Sequence, residues 1–272
     1  MIKDIQTRLI TAIFFTAWVL GSLVLHQWAY YSLFLIICFA ASFELLRVEM
    51  KDRPTNQITL LAFIPVLLPL IAIFLHRGSH QLLTDATIAI LGISYSIYLL
   101  LQINKPDRNP FAFPGGVLSC VLYVGIPMYA AICLSDIDGV FNWQLMIGLF
   151  ALTWANDTGA YLVGSRIGKR PLAKQISPKK TIEGTLGGIL FCLISAWIIS
   201  LINHRLSMAQ WLATGIIVGI AGVTGDLIES KFKRYYGIKD SGTFLPGHGG
   251  FLDRFDSLLY LLPFVYIYLL LL

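Results

Sequence analysis

Charge is what this sequence has least of. Asp, Glu, Lys and Arg make up 13% of its 272 residues, against roughly 25% in a soluble globular domain, so that class is excluded at the outset. Cysteine is also scarce. Cys38, Cys120, Cys133 and Cys192 all fall inside apolar runs without metal-ligand or redox spacing, which excludes a disulfide framework or a zinc centre and leaves small buried hydrophobes. Tandem repeats and low-complexity tracts are lacking too, so a solenoid is not expected. A secretory signal peptide would be one short apolar segment ahead of a soluble chain, whereas here apolar segments recur as far as Leu272. Neither cleavage nor a lipid anchor is expected.

What is present is hydrophobic sequence, 57% of the chain. About 20 apolar residues are needed to cross the hydrocarbon core as a helix. Nine segments qualify: 9–26, 28–46, 58–75, 86–103, 114–135, 143–163, 182–203, 209–228 and 256–272. Pro65, Pro69 and Pro127 fall in the third and fifth, which remain spans because neighbouring helices re-satisfy a freed backbone. With the N-terminus in the cytoplasm, all of the 20 Lys and Arg except Arg77 and Arg205 fall on the inside. This asymmetry fixes the orientation and supports an odd number of spans, with the C-terminus on the opposite side. The net charge of +5 therefore reports orientation, and no nucleic-acid partner is expected.

The expected fold is an all-α polytopic membrane protein of about nine transmembrane helices. Residues 1–140, with five spans and few intramembrane charges, read as scaffold, and Glu44 lies near enough to a helix end to snorkel. Residues 141–272, with cytoplasmic loops 164–181 and 229–255, read as the catalytic region. Gly184 with Gly188 and Gly215 with Gly219 have the spacing of close helix packing.

Polar residues collect on the cytoplasmic side of the last four spans. Asn156 and Asp157 lie about six residues from the end of the sixth span, roughly 9 Å inside it. A carboxylate at that depth needs a partner or a water-filled cavity. The loop "GSRIGKRPLAKQISPKKTIEG" ends like a helix start, with Ser177 as N-cap, Pro178 at the first helical position and Lys179 and Lys180 after it, a combination suited to phosphate or to anionic lipid. If the eighth helix continues past the membrane surface, Asp226, Glu229, Ser230 and Lys233 share one face. Asp226 sits where the helix dipole disfavours an acid, so something positive must compensate. The turn "PGHGG" follows, and then "DRFD", which places Asp253 and Asp256 on one face of a first helical turn.

Because the eighth and ninth spans are antiparallel neighbours, Asp226 is expected close to Asp253 and Asp256. Three such carboxylates repel unless protonated or bound to a cation. Mg²⁺ suits oxygen ligands and a phosphate substrate, whereas soft metals find no cysteine there and only His248 among histidines. Clustered acids flanked by Lys and Arg read as phosphate-transfer chemistry on a nucleotide, with a lipid acceptor.

The residues Ser230, Lys233, Arg234, Lys239, Asp240, Pro246, His248, Gly249, Gly250, Asp253, Arg254 and Asp256 match a family signature throughout, and "NDTGAYLVG" and "SPKKTIEG" extend the likeness to roughly 150–256. The sequence resembles the phosphatidate cytidylyltransferase, or CDP-diacylglycerol synthase, family. The resemblance implies a homodimeric multi-pass enzyme of the cell membrane, the bacterial inner membrane, with its active site facing the cytoplasm. It would join CTP and phosphatidate into CDP-diacylglycerol and pyrophosphate, using Mg²⁺. Carried over, Asp226 and Asp253 bind the metal, Asp256 lies at a second cation position, with a monovalent ion as one option, and Ser230, Lys233, Arg234, Lys239, His248 and Arg254 line the nucleotide and phosphate site. Lys233 and Arg234 stand with the three acids as the catalytic set. Asn156, Asp157, Lys179, Lys180, Thr181, Glu183, Gly249 and Gly250 are assigned to substrate contacts. His248 reads either as a proton shuttle or as a turn-stabilising, substrate-contacting residue. Two rivals stay open, a CTP-dependent lipid kinase and a secondary transporter, the latter disfavoured because the charges lie toward one face.

Overall fold

A computed structural model describes residues 2–75, 82–105, 107–137, 140–244 and 249–272. His248 and Pro246, singled out by the sequence, lie outside the described residues. The fold is helical: α1 (Ile2–Leu25), α2 (Gln27–Glu49), α3 (Thr55–Ala62), α4 (Leu67–Leu75), α5 (Leu82–Gln102), α6 (Gly116–Cys120), a π-helical turn (Val121–Gly125), α7 (Ile126–Leu134), α8 (Gln144–Ile167), α9 (Ile182–Ile202), α10 (Met208–Tyr235) and α11 (Leu252–Leu270). The only described sheet is a hairpin between α8 and α9, in which β1 (Pro171–Ala173) pairs antiparallel with β2 (Ser177–Thr181).

Six stretches of the described residues are long and apolar enough to cross a membrane: α2, Thr55–Phe74, α5, Gly116–Leu134, α9 and α10. The other three expected spans are also helical, but α1 offers only the shorter apolar stretch Ile10–Leu25, and α8 and α11 are diluted by the polar residues of the candidate site. The third expected span is not continuous. It breaks into turns over residues 63–66, where Pro65 lacks an N–H and its ring crowds the preceding turn. The fifth span stays unbroken by passing through a π-turn that ends just before Pro127, the residue that has no N–H to give to the preceding turn.

Helix α9 is patterned for lipid outside and helix inside. Its large residues Leu186, Leu190, Trp197 and Leu201 are exposed, while Gly184, Gly187, Gly188, Cys192, Ala196 and Ser200 are buried. Such small residues let backbones approach, the usual basis of association where lipid is as apolar as the side chains. Gly184 faces the Ala160 carbonyl and Gly188 faces Asn156, both on α8, while Gly215 and Gly219 of α10 lie against Ala196 and Ile189 of α9. The expected packing roles of these glycines hold.

Helix α11 is the centre of the fold. It is buried from Ser257 to Pro263, so it is apolar nearly all round. Two of its polar side chains tie it to neighbours: the Ser257 hydroxyl donates to the Gly222 carbonyl of α10 at 3.0 Å, and the Tyr260 hydroxyl to the Ser96 carbonyl of α5 at 3.0 Å. Helix α10 packs so closely here that a Cβ on Gly225 would stand 2.6 Å from the Asp256 carbonyl oxygen and 2.7 Å from Tyr260 Cβ. Gly225→Ala is therefore expected to destabilise the protein by about 1–3 kcal/mol, the usual cost of overpacking. A lowered Tm in detergent checks it.

Buried Lys231 fixes α10 from the other side. Its ammonium donates to the carbonyls of Gln102 (2.7 Å), Ile103 (3.3 Å) and Lys105. These lie at the C-terminus of α5, where carbonyls lack helical donors and a cation is favoured.

Candidate active site

The charged first turn of α11 meets the continuous helix α10, which does run past residue 228 and does carry Asp226, Glu229, Ser230 and Lys233 on one face. Carboxylate oxygens of Asp226, Glu229 and Asp256 lie within 4.8 Å of one another. Ser230 Oγ donates to Asp226 Oδ1 at 3.1 Å, and the Lys180 ammonium pairs with the other Asp226 oxygen. The positive partner that the helix dipole demands for Asp226 is thus supplied from β2.

Asp253 is not one of the three acids whose oxygens meet in this way, but it adjoins them, its carboxylate lying against that of Glu229 in the same cavity. Its Oδ2 accepts from the backbone N–H of Ser241 (2.9 Å) and of Gly250 (2.7 Å), while Oδ1 takes Lys233 Nζ at 2.8 Å. The reason is positional. Asp253 is in the first turn of α11, within reach of free loop N–H groups, whereas Asp256 is one turn on and faces α10. Gly249 adopts φ +83°, and a Cβ there would crowd Asp253 Oδ2, so the turn needs glycine at this position. Lys233 also reaches Glu229 Oε2 at 2.5 Å, so one ammonium joins an acid of the cluster to Asp253.

Glu229 is the acid that the sequence placed on the correct face without giving it a role. It is almost fully buried, and its Oε1 has no hydrogen-bond partner. Its signal was available: it is three residues after Asp226 and four before Lys233 on one helix face. Lys180 and Lys233 balance only part of the charge of Asp226, Glu229, Asp253 and Asp256, and a buried unbalanced acid is costly. Three hard oxygen donors with one orphaned atom fit a divalent cation such as Mg²⁺.

The cluster lies in a cavity of about 450 Å³. Asp157, Asp226, Glu229, Lys233, Asp240, Asp253, Arg254 and Asp256 form its charged side, and Ala12, Phe15 and Val19 of α1 with Phe150 its apolar side. A second cavity of about 600 Å³ is lined by Ser177, Lys179, Lys180, Thr181, Thr185 and Tyr161. Asp157 and Asp226 line both cavities, so the deep carboxylate of α8 does face open space.

Other expected site residues are turned elsewhere. Asn156 is buried between Gly188 and Gly222 and lines neither cavity. Arg234 donates from Nε to the Ile176 carbonyl at 3.4 Å and so holds the hairpin. Glu183 accepts from the N–H groups of Lys169 (3.0 Å) and Arg170 (3.1 Å), which fixes the approach to β1. Lys239 is exposed in the loop after α10. The expected helix start at Ser177 is a correction: Ser177 to Thr181 form β2, and α9 is capped by Thr181, whose Oγ1 accepts from Gly184 N at 3.1 Å. Thr181 satisfies an orphan donor of the actual helix start, while Pro178 lies in the strand. Lys179 and Lys180 still line the second cavity, held there by a strand instead of a helix end.

Glu44 is a second correction. It does not snorkel. It is buried, and it accepts from Phe251 N (3.0 Å), Leu252 N (2.9 Å) and Ser241 Oγ (3.1 Å).

Residues 6–272 match the sequence pattern of the cytidylyltransferase family. The chain belongs to that family. Among its cytidylyltransferase relatives, the phosphatidate cytidylyltransferase of Bacillus subtilis is 32% identical over 267 residues, 97% of each chain. The enzyme of the same name from Staphylococcus saprophyticus is 34% identical over 257 residues, covering 92% of this chain and 91% of the relative. That of Staphylococcus haemolyticus is 42% identical over 176 residues, 63% of this chain and 66% of the relative. As a cytidylyltransferase, the protein is a nucleotidyl-transferring enzyme carrying helices suited to a membrane.

Proposed function

We propose that this enzyme transfers CMP from CTP to phosphatidate, giving CDP-diacylglycerol and pyrophosphate. The observation that carries the proposal is the first cavity, in which a wall of carboxylates and lysine faces the apolar residues Ala12, Phe15 and Val19. With a divalent cation held by the carboxylates, a phosphate head with acyl tails would complement both sides. The names of the relatives support the same reading.

An oxygen of the phosphatidate phosphate attacks the α-phosphorus of CTP in line, and the bond from that phosphorus to the bridging oxygen of the β-phosphate breaks, releasing pyrophosphate. No general base is required, because the nucleophile is already an anion. Asp226, Glu229 and Asp256 would hold Mg²⁺, with Asp253 supporting them through Lys233. When bound, the ion offsets charge on the attacked phosphate and the leaving group. Lys179 and Lys180 give the pyrophosphate a positive path into the second cavity. Asp157 keeps Lys180 between the cavities by its charge.

The proposal extends to topology. Nine spans with the N-terminus and the site on the cytoplasmic side are supported by the Lys and Arg distribution. Residues 1–140 serve as the scaffold and 141–272 as the catalytic region, and the protein pairs as a homodimer, which the mass of the detergent-solubilised particle tests.

The deciding experiment incubates purified protein with phosphatidate, Mg²⁺ and CTP labelled in the cytidine. Label is expected in the lipid phase, dependent on both phosphatidate and Mg²⁺ and abolished by chelation. A lipid product that carries the γ-phosphate but no cytidine would establish the kinase alternative instead.

A further inference from the structure

Glu44 belongs to α2, in the half of the chain that reads as scaffold, yet its side chain ends inside the loop that precedes α11. Both carboxylate oxygens are used: Oε1 receives Phe251 N and Oε2 receives Leu252 N, with the Ser241 hydroxyl 3.1 Å from Oε2. The loop is moulded around it. A Cβ on either Gly242 or Gly250 would collide with this carboxylate, so the two ends of the turn close on Glu44 itself.

The same Ser241 hydroxyl lies 3.0 Å from Asp253 Oδ2, and its backbone N–H donates to that oxygen too. Asp253 in turn holds Lys233, and Lys233 holds Glu229. A continuous polar chain therefore runs from Glu44 through Ser241, Asp253 and Lys233 to the acid cluster. Ordinary capping does not need this. An exposed serine or aspartate would satisfy two N–H groups at a helix start, whereas a buried glutamate brought from another helix fixes where that start lies relative to α2 and α10.

We infer that Glu44 is a positioning residue for the acid cluster, setting the register of α11 so that Asp256 meets Asp226 and Glu229. The kinetic part of the inference rests on the proposed cytidylyl transfer; the positional part does not. Outer partners of metal-binding groups typically change metal affinity or activity by about 10–100-fold when removed. Glu44→Gln keeps the volume but loses one acceptor, so one of the two converging N–H groups meets an amide NH₂.

The test uses full-length protein in detergent, with Mn²⁺ as the metal probe followed by the spectroscopic signal of the free ion, and trypsin cleavage at Lys239 and Arg254 as a reporter of the loop. In Glu44→Gln we expect Mn²⁺ binding weakened by about 10-fold or more, faster cleavage at Lys239 in the loop and at Arg254 in the first turn of α11, and reduced kcat with the KM for CTP nearly unchanged at saturating metal. Ser241→Ala should move the same readouts in the same direction, and the double variant should fall short of additivity, as for members of one network. It also serves as the test if Glu44→Gln does not fold. A lowered Tm with metal binding and loop protection unchanged would overturn the inference and leave Glu44 a structural cap. If wild-type protein transfers no cytidylyl group, the functional reading fails while the Mn²⁺ and cleavage results still decide the role of Glu44.

Discussion

Asp226→Asn is expected to lower cytidylyl transfer by about 1000-fold or more, equivalent to about 4 kcal/mol of barrier. Asp226 meets Glu229 and Asp256, receives Lys180 and Ser230, and lines both cavities, so it joins the acid cluster to each of them. Asparagine keeps the shape and offers one neutral acceptor in place of a carboxylate, so loss of metal binding is separated from loss of fold. Glu229→Gln and Asp256→Asn should behave alike, whereas Asp253→Asn should retain weakened Mn²⁺ binding, because its oxygens are committed to Lys233, Ser241 and Gly250. The measurements are label transfer to lipid, Mn²⁺ binding and elution as a single folded species. Full activity in Asp226→Asn would remove the metal assignment.

Lys233→Met has the second-largest expected effect, and it acts on stability and turnover together. Lys233 is the cation between Glu229 and Asp253, whose side chains are 1% and 5% exposed. Removing one partner of a buried ion pair leaves an uncompensated charge and costs about 3–5 kcal/mol. The variant should therefore melt well below the wild type and lose activity. Mg²⁺ should raise its Tm more than that of the wild type, since a cation bound only to the folded state replaces the missing charge. Adding Glu229→Gln should recover part of the stability and none of the activity. If Lys233→Met and the wild type melt alike with and without Mg²⁺, the pairing is not a structural necessity.

Much of this site was legible in the sequence because helical periodicity is a local property. Asp226, Glu229, Ser230 and Lys233 share a face whatever surrounds them, and a glycine-rich turn followed by Asp253 and Asp256 marks a helix start. Roles that depend on distant partners were not legible. Glu44 reads as a snorkelling acid because its partners, Ser241, Phe251 and Leu252, lie about 200 residues away. Asp253 and Asp256 look equivalent as letters, and only the free N–H groups of the loop divide them. Ser177 and Pro178 carry the signature of a helix start, yet pairing with Pro171 to Ala173 made them strand and moved the cap to Thr181. Local preference yielded to a hairpin.

Lys231 stands in the most basic-looking run of the sequence, SKFKR, and yet it points away from the site into the end of α5. Its charge is already compensated by carbonyl dipoles and shielded from solvent. It adds little to the pull on an approaching polyanion. The ionic-strength dependence of nucleotide capture should therefore be shallower than a count of lysines along this stretch implies, because screening acts on exposed charges and leaves this one untouched.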